Sequence, residues 1–220
     1  MSELLNQILD IEWEQFRTVN GEERVSCQEQ KPTFLKMRTA QFKMWDDESL
    51  ASYLEDLKLS EKEHRNMLRE KYIRMMENSE PEKYEIFGKD LPAVSEEKKK
   101  LVADIWAIML KQTEKMREKY PVLALGGRPL HASEEHGWSS VETYQTCELT
   151  TFSENTLRCF LKHVKDLEAQ GIDIVYKIQE NSVTCLGYKN MDDAEAAMAK
   201  QFMDEMGIEA DAGCGCCGID

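Results

Sequence analysis

A chain of 220 residues is long enough to bury a substantial core without disulfide or metal staples. Its formal net charge of −14 argues against nonspecific binding to nucleic acid or anionic membranes, and no run approaches the ~18 apolar residues that a membrane span requires. Residues 1–5 lack a basic segment leading into an apolar one, so a reducing cytoplasm is the expected compartment and the seven cysteines are expected to be thiols or metal ligands.

Apolar residues recur at helical spacing almost throughout. This predicts an all-α protein: a single irregular multi-helix bundle with a flexible, cysteine-rich C-terminal tail. Ser2 is placed to cap a first helix that ends near Thr18, with Leu5, Ile8, Leu9, Glu12, Trp13 and Phe16 near one face; Asn20-Gly21 stops it. Pro32 suits the first turn of a second helix carrying Phe34, Met37, Arg38, Gln41 and Phe42. A third helix begins near Asp47, with Leu50, Tyr53, Leu54 and Leu57. Ser60-Glu61-Lys62-Glu63 has the form of a capping box, which predicts a restart and a separate helix over residues 60–78. Its inner face would hold Met67, Leu68, Tyr72, Met75 and Met76. A short helix to Phe87 follows Pro81.

Ser95 opens the strongest helix, which runs to about Tyr120 on a stripe of Leu101, Val102, Ile105, Ile108, Met109 and Met116; Pro121 ends it. Residues 121–138 are expected to form one long irregular stretch, and such loops in compact domains are often functional. Helices resume near Ser140 and again at Ser153, the second closed by Gly171. Residues 172–188 suit a helix, although Ile174, Val175, Val183 and Thr184 leave a strand open there. Asn190 caps a last helix over residues 191–206, whose thin apolar face of alanine and methionine predicts light packing.

Several strings of this sequence resemble segments of a known family. Ser26-Cys27-Gln28, the run Thr33-Phe34-Leu35-Lys36-Met37-Arg38-Thr39-Ala40-Gln41-Phe42, the run Glu70-Lys71-Tyr72-Ile73-Arg74-Met75-Met76-Glu77, Gly127-Arg128-Pro129 and Glu142-Thr143-Tyr144 are similar to the bacterial domain family DUF4125, a domain of unknown function. The resemblance covers about residues 5–190 and implies no particular reaction. It suggests a helical DUF4125-like domain over 1–188, an acidic helix over 189–206 and a flexible tail over 207–220 outside the recognised segments.

The densest chemistry is in that tail. Cys214, Cys216 and Cys217 place three thiols within four positions, among glycines that free the backbone. Three thiolates suit Zn(II) or Cu(I), or disulfide exchange; a fourth zinc ligand would come from a distant residue or a second chain. From residue 190 onward eight acidic residues face one lysine. That acidic lead raises thiol pKa values, so the tail suits a cation or a basic docking surface better than nucleophilic attack. The competing reading is a chain end whose thiols have no role.

In the long loop, His131, Glu134, Glu135 and His136 follow Arg128 and could bind a metal or move protons. Two histidines five apart in a loop do not match the zinc-protease motif, and a glutamate capping the next helix is the plainer alternative. Gly126-Gly127-Arg128-Pro129 offers amides and a guanidinium to an anion but lacks the lysine and hydroxyl of a nucleotide loop; a turn is its plainer use. Arg38, Gln41, Lys71, Arg74, Glu142 and Tyr144 are polar positions beside apolar helix faces. Converging, they would line a pocket between helices, with Lys71 and Arg74 as an anion clamp; dispersed, they would form ordinary surface ion pairs. Cys27 precedes a helix by several residues, whereas Cys147, Cys159 and Cys185 fall in helical patterns suited to core packing.

Three functions compete on these residues. The first is a binding or carrier protein that docks a protein partner or small anionic ligand, with thiols that hold a soft metal or pass on sulfur or electrons. The second is an enzyme acting on a small anionic substrate in a pocket of Arg38, Lys71, Arg74, Arg128, His131 and Glu142. The third is a structural adaptor. The concentrated thiols favour the first.

Overall fold

The structure, a computed structural model, describes residues 3–19, 26–132 and 139–206, with the backbone alone given at Ser26 and Cys27. Among these residues the chain forms eleven α-helices and no strand, an all-α bundle. They are α1 (Glu3–Arg17), α2 (Lys31–Phe42), α3 (Asp47–Lys62), α4 (Met67–Ser79), α5 (Pro81–Phe87), α6 (Glu96–Lys119), α7 (Pro121–Leu125), α8 (Val141–Thr151), α9 (Glu154–Ala169), α10 (Ile174–Cys185) and α11 (Met191–Met206). None is long and apolar enough to cross a membrane.

Local chemistry starts most of the longer helices. Asp46, Asn66, Ser95, Ser140, Ser153, Asp173 and Asn190 each accept a hydrogen bond from the backbone N–H three residues on, which satisfies one of the unpaired donors at a helix start. Asp173 settles the ambiguous stretch after Gly171: its side chain caps α10, and the β-branched Ile174, Val175 and Val183 are buried as helical residues. Gly171 itself takes φ of 72°, the left-handed conformation that closes α9.

Two expectations are corrected. Ser60 does not start a helix; it lies inside α3, buried, donating to the Leu57 carbonyl and accepting from Gln15 Nε2. That tertiary bond holds the hydroxyl inward, so it cannot act as a cap. The break comes later, at His64 with φ of 56°, and Asn66 caps α4. Gln15 also accepts from the Met67 amide, so one α1 side chain positions both sides of the turn. Residues 121–138 are not irregular throughout, because α7 forms at Pro121–Leu125. Its free amides at Val122 and Leu123 are both taken by the Glu195 carboxylate of α11, at 2.8 Å each. A cap supplied from α11 leaves no local signature.

The main core is built on α1, α3, α6, α8, α9 and α10, with α4 packed on α8 and α2 on α10. At its centre Trp45 stacks on Phe160 at 4.3 Å and meets Phe152 edge-on, while Tyr53 lies 4.8 Å from Phe152. This aromatic block is the floor on which the charged residues of α1, α2, α4 and α8 meet. By contrast α11 buries only Met191 and Ala194, and Phe202, Met203 and Met206 remain exposed.

Candidate functional site

Four helices each contribute a charged side chain to one interior network. Glu12 of α1, Arg38 of α2, Lys71 of α4 and Glu148 of α8 are all buried, Glu12 completely. Arg38 presents its guanidinium as a fork: Nε donates to Glu12 Oε2 at 2.7 Å and Nη2 to Glu12 Oε1, while Nη1 donates to Glu148 Oε1 at 2.7 Å and Gln41 Oε1 at 2.8 Å. Tyr53 donates its hydroxyl to Glu12 at 2.7 Å. Lys71 Nζ donates to the second Glu148 oxygen at 3.0 Å and lies 3.7 Å from the centre of the Tyr144 ring. Two cations and two anions thus alternate in one network.

Burial alone disfavours charge on every member, so pairing must outweigh it. It does so at Glu148: desolvation pushes this carboxyl up, but Arg38 and Lys71 together hold it down at about 2, against an ordinary 4.5. Lys71 and Arg38 likewise rise above their ordinary values, because their carboxylate partners exceed the burial penalty. Tyr53 is pushed well up, first by burial and then by Glu12, so its phenol stays protonated as a donor.

Two cavities share the wall formed by Met37, Arg38 and Tyr144. The smaller, of about 300 Å³, is mainly aromatic and aliphatic, and Arg38, Lys71 and Glu148 are its charged lining. The larger, of about 490 Å³, runs between α2, α6, α8 and α10. Three arginines line it, Arg38, Arg117 and Arg128, and among the described residues in its wall none is acidic. Arg128 sits over the Tyr144 ring at 5.2 Å and donates to the Ser139 carbonyl; Arg117 donates to the Arg128 carbonyl. Trp106, Met109, Val175 and Ile178 supply apolar wall.

The structure brings Arg38, Gln41, Lys71, Tyr144 and Arg128 into this one region. Lys71 and Arg74 do not form a clamp: Lys71 turns into the core, whereas Arg74 donates to the Pro92 carbonyl and lines a separate surface depression. Positions three apart on a helix differ by ~60° of rotation, enough for one to be buried and the other not. His131 and Glu142 line the same depression, with His131 Nδ1 2.8 Å from Glu142 Oε2 and the Trp106 indole donating to Glu142 Oε1. The bond from His131 lowers the Glu142 pKa. Glu134, Glu135, His136, Cys214, Cys216 and Cys217 lie outside the described residues, as does the side chain of Cys27. Among the described residues no three of His, Cys, Asp and Glu cluster to hold a metal. Burial pushes the Cys147 thiol up to about 11, which makes it a poor nucleophile at neutral pH.

Glu12, Tyr53, Glu148 and Arg117 were missed as site residues. Glu12 left a signal, a carboxylate on the apolar face of α1. Glu148 stands four residues after Tyr144 and so shares its face of α8. Arg117 follows the buried Met116 and left no comparable signal.

No curated protein and no solved structure matches this chain. A family model described as a protein of unknown function (DUF4125) matches residues 2–196, which contain the whole buried network and both cavities, and the chain belongs to that family.

Proposed function

We propose that this is a cytoplasmic binding or carrier protein whose helical body takes a small anion with an apolar portion in the larger cavity. One observation carries the reading: in a chain of net charge −14, the described wall of this cavity holds three arginines and no carboxylate. Arg38 is already balanced by Glu12 and Glu148, so Arg117 and Arg128 supply the attraction. Their guanidinium groups have planar donor forks suited to carboxylate or phosphate, and the structure gives each a single carbonyl acceptor among the described residues. The apolar wall suits the rest of such a ligand, and its methionines adapt to varied shapes.

Calorimetric titration with octanoate, octyl phosphate and octanol tests this. Either anion is expected to bind at least tenfold more tightly than octanol, since a charge-assisted hydrogen bond contributes about 1.5–3 kcal/mol. The Arg117→Gln/Arg128→Gln variant should lose that preference while keeping its helical content. Equal binding of octanol and octanoate to the unaltered protein would remove the basis of the proposal.

The carrier reading also includes the C-terminal thiols, supported by their spacing: Cys214, Cys216 and Cys217 take a soft cation, Zn(II) or Cu(I), together. Thiolate binding displaces protons, so affinity should fall with pH. Anaerobic purification followed by metal analysis is expected to find metal in the full chain. It should find none after all three cysteines are replaced by serine, with helical content unchanged. Metal retained by that variant would move the site elsewhere, with His131 and His136 the next residues to replace.

A further inference from the structure

The smaller cavity has a different chemistry from the larger one. Phe16 and Phe34 stack at 4.8 Å in its wall, and Tyr72, Tyr144 and Phe152 add aromatic faces. Its volume of about 300 Å³ is at the low end for small-molecule sites, enough for a compact flat ligand. Lys71, 4% exposed, is its buried donor. An ammonium has three N–H groups. Among the described residues Glu148 accepts one at 3.0 Å, while the Tyr144 and Tyr72 rings lie 3.7 and 5.3 Å from the nitrogen, so a ligand oxygen can take an N–H in place of a weaker ring contact.

Charge decides what kind of acceptor fits. Glu12, Glu148, Arg38 and Lys71 already sum to zero, and all four are buried. A ligand carboxylate placed against them would add an uncompensated charge in a site removed from water, which is unfavourable. A carbonyl or ether oxygen would accept a Lys71 N–H without disturbing the balance. The mouth is set by the exposed residues Gln30, Thr33 and Met37, along one side of α2.

We propose that the smaller cavity is a second binding site, for an uncharged flat aromatic molecule whose oxygen acceptor bonds to Lys71. It stands independently of the anion reading, because it rests on a different cavity and a different donor. The test is titration of the full chain with 2-acetylnaphthalene, an uncharged aromatic ketone, followed by displacement of the bound ketone with 2-naphthoate, a carboxylate of similar shape that the larger cavity can also take. The ketone is expected to saturate one site, and displacing it is expected to need naphthoate at least tenfold above the concentration at which unlabelled ketone competes equally. Thr33→Trp, a change at an exposed position that obstructs the mouth, should weaken ketone binding at least tenfold, and Lys71→Met should do the same. Arg158→Met, at an exposed residue that lines neither cavity, should leave it unchanged. Displacement of bound ketone by naphthoate as readily as by ketone itself, or unaltered ketone affinity in Thr33→Trp, would overturn the proposal even if Lys71→Met failed to fold.

Discussion

Replacing Arg38 by methionine is expected to cost about 3–5 kcal/mol of folding stability, the range for removing one partner of a buried ion pair. The size follows from what remains. Glu12 is wholly buried, and among the described residues Arg38 supplies both of its charge-assisted bonds and the Tyr53 hydroxyl is its other hydrogen-bond donor. Glu148 would keep Lys71 but lose its second cation. Denaturant unfolding followed by far-ultraviolet circular dichroism reads the loss as a lower midpoint. Neutralising the stranded carboxylate in Arg38→Met/Glu12→Gln should recover about 0.5–3 kcal/mol, the usual range of coupling between contacting residues. Arg158→Met is the control: Arg158 also contacts two glutamates, but it is half exposed, and its loss should barely move the midpoint. Equal midpoints for Arg38→Met and Arg158→Met would mean that the internal network does not hold the helices together.

Stability is also expected to fall in acid, between about pH 4.5 and 2, because of Glu148. Its folded carboxyl is held at about 2 against an ordinary 4.5. A group depressed in the folded state stabilises it above the unfolded pKa and loses that contribution as pH falls through the folded value. The difference corresponds to roughly 3 kcal/mol. Lys71 has the opposite sign: raised above its ordinary 10.5, its contribution is complete below that value, so it adds no slope in this acid range. Glu148→Gln should therefore be the less stable protein at pH 7, show a flatter dependence between pH 4.5 and 2, and approach the unaltered protein at the acid end. Parallel pH profiles for the two would show that Glu148 does not carry the acid transition.

The helical architecture was legible because its signals are local. Ser95, Ser140, Ser153 and Asn190 announce helix starts by residue type, and Gly171 a stop, before any tertiary contact is known. The errors arose where a distant side chain intervened. Gln15 engages Ser60 from 45 residues away, and Glu195 caps α7 from more than 70. The candidate site divides the same way. Arg38, Gln41, Lys71 and Tyr144 could be picked out as polar residues on otherwise apolar faces. Their convergence depends on how α4 packs on α8 and α1 on α2, which no single helix encodes. Arg74 shows the limit of spacing: three residues from Lys71, it bonds to the backbone at Pro92 and lines the outer depression.

The central claim is that the arginine-lined cavity holds an anion with an apolar body. The most direct measurement is anomalous diffraction from crystals of the full chain soaked in 8-bromooctanoate, with bromine as the marker. The account predicts a bromine peak within the larger cavity, against Trp106, Met109 or Ile178, with the carboxylate within hydrogen-bond distance of Arg117 or Arg128, and no such peak in Arg117→Gln/Arg128→Gln crystals. A peak confined to the outer depression of Arg74 and His131, or the same cavity peak in the double variant, would contradict it.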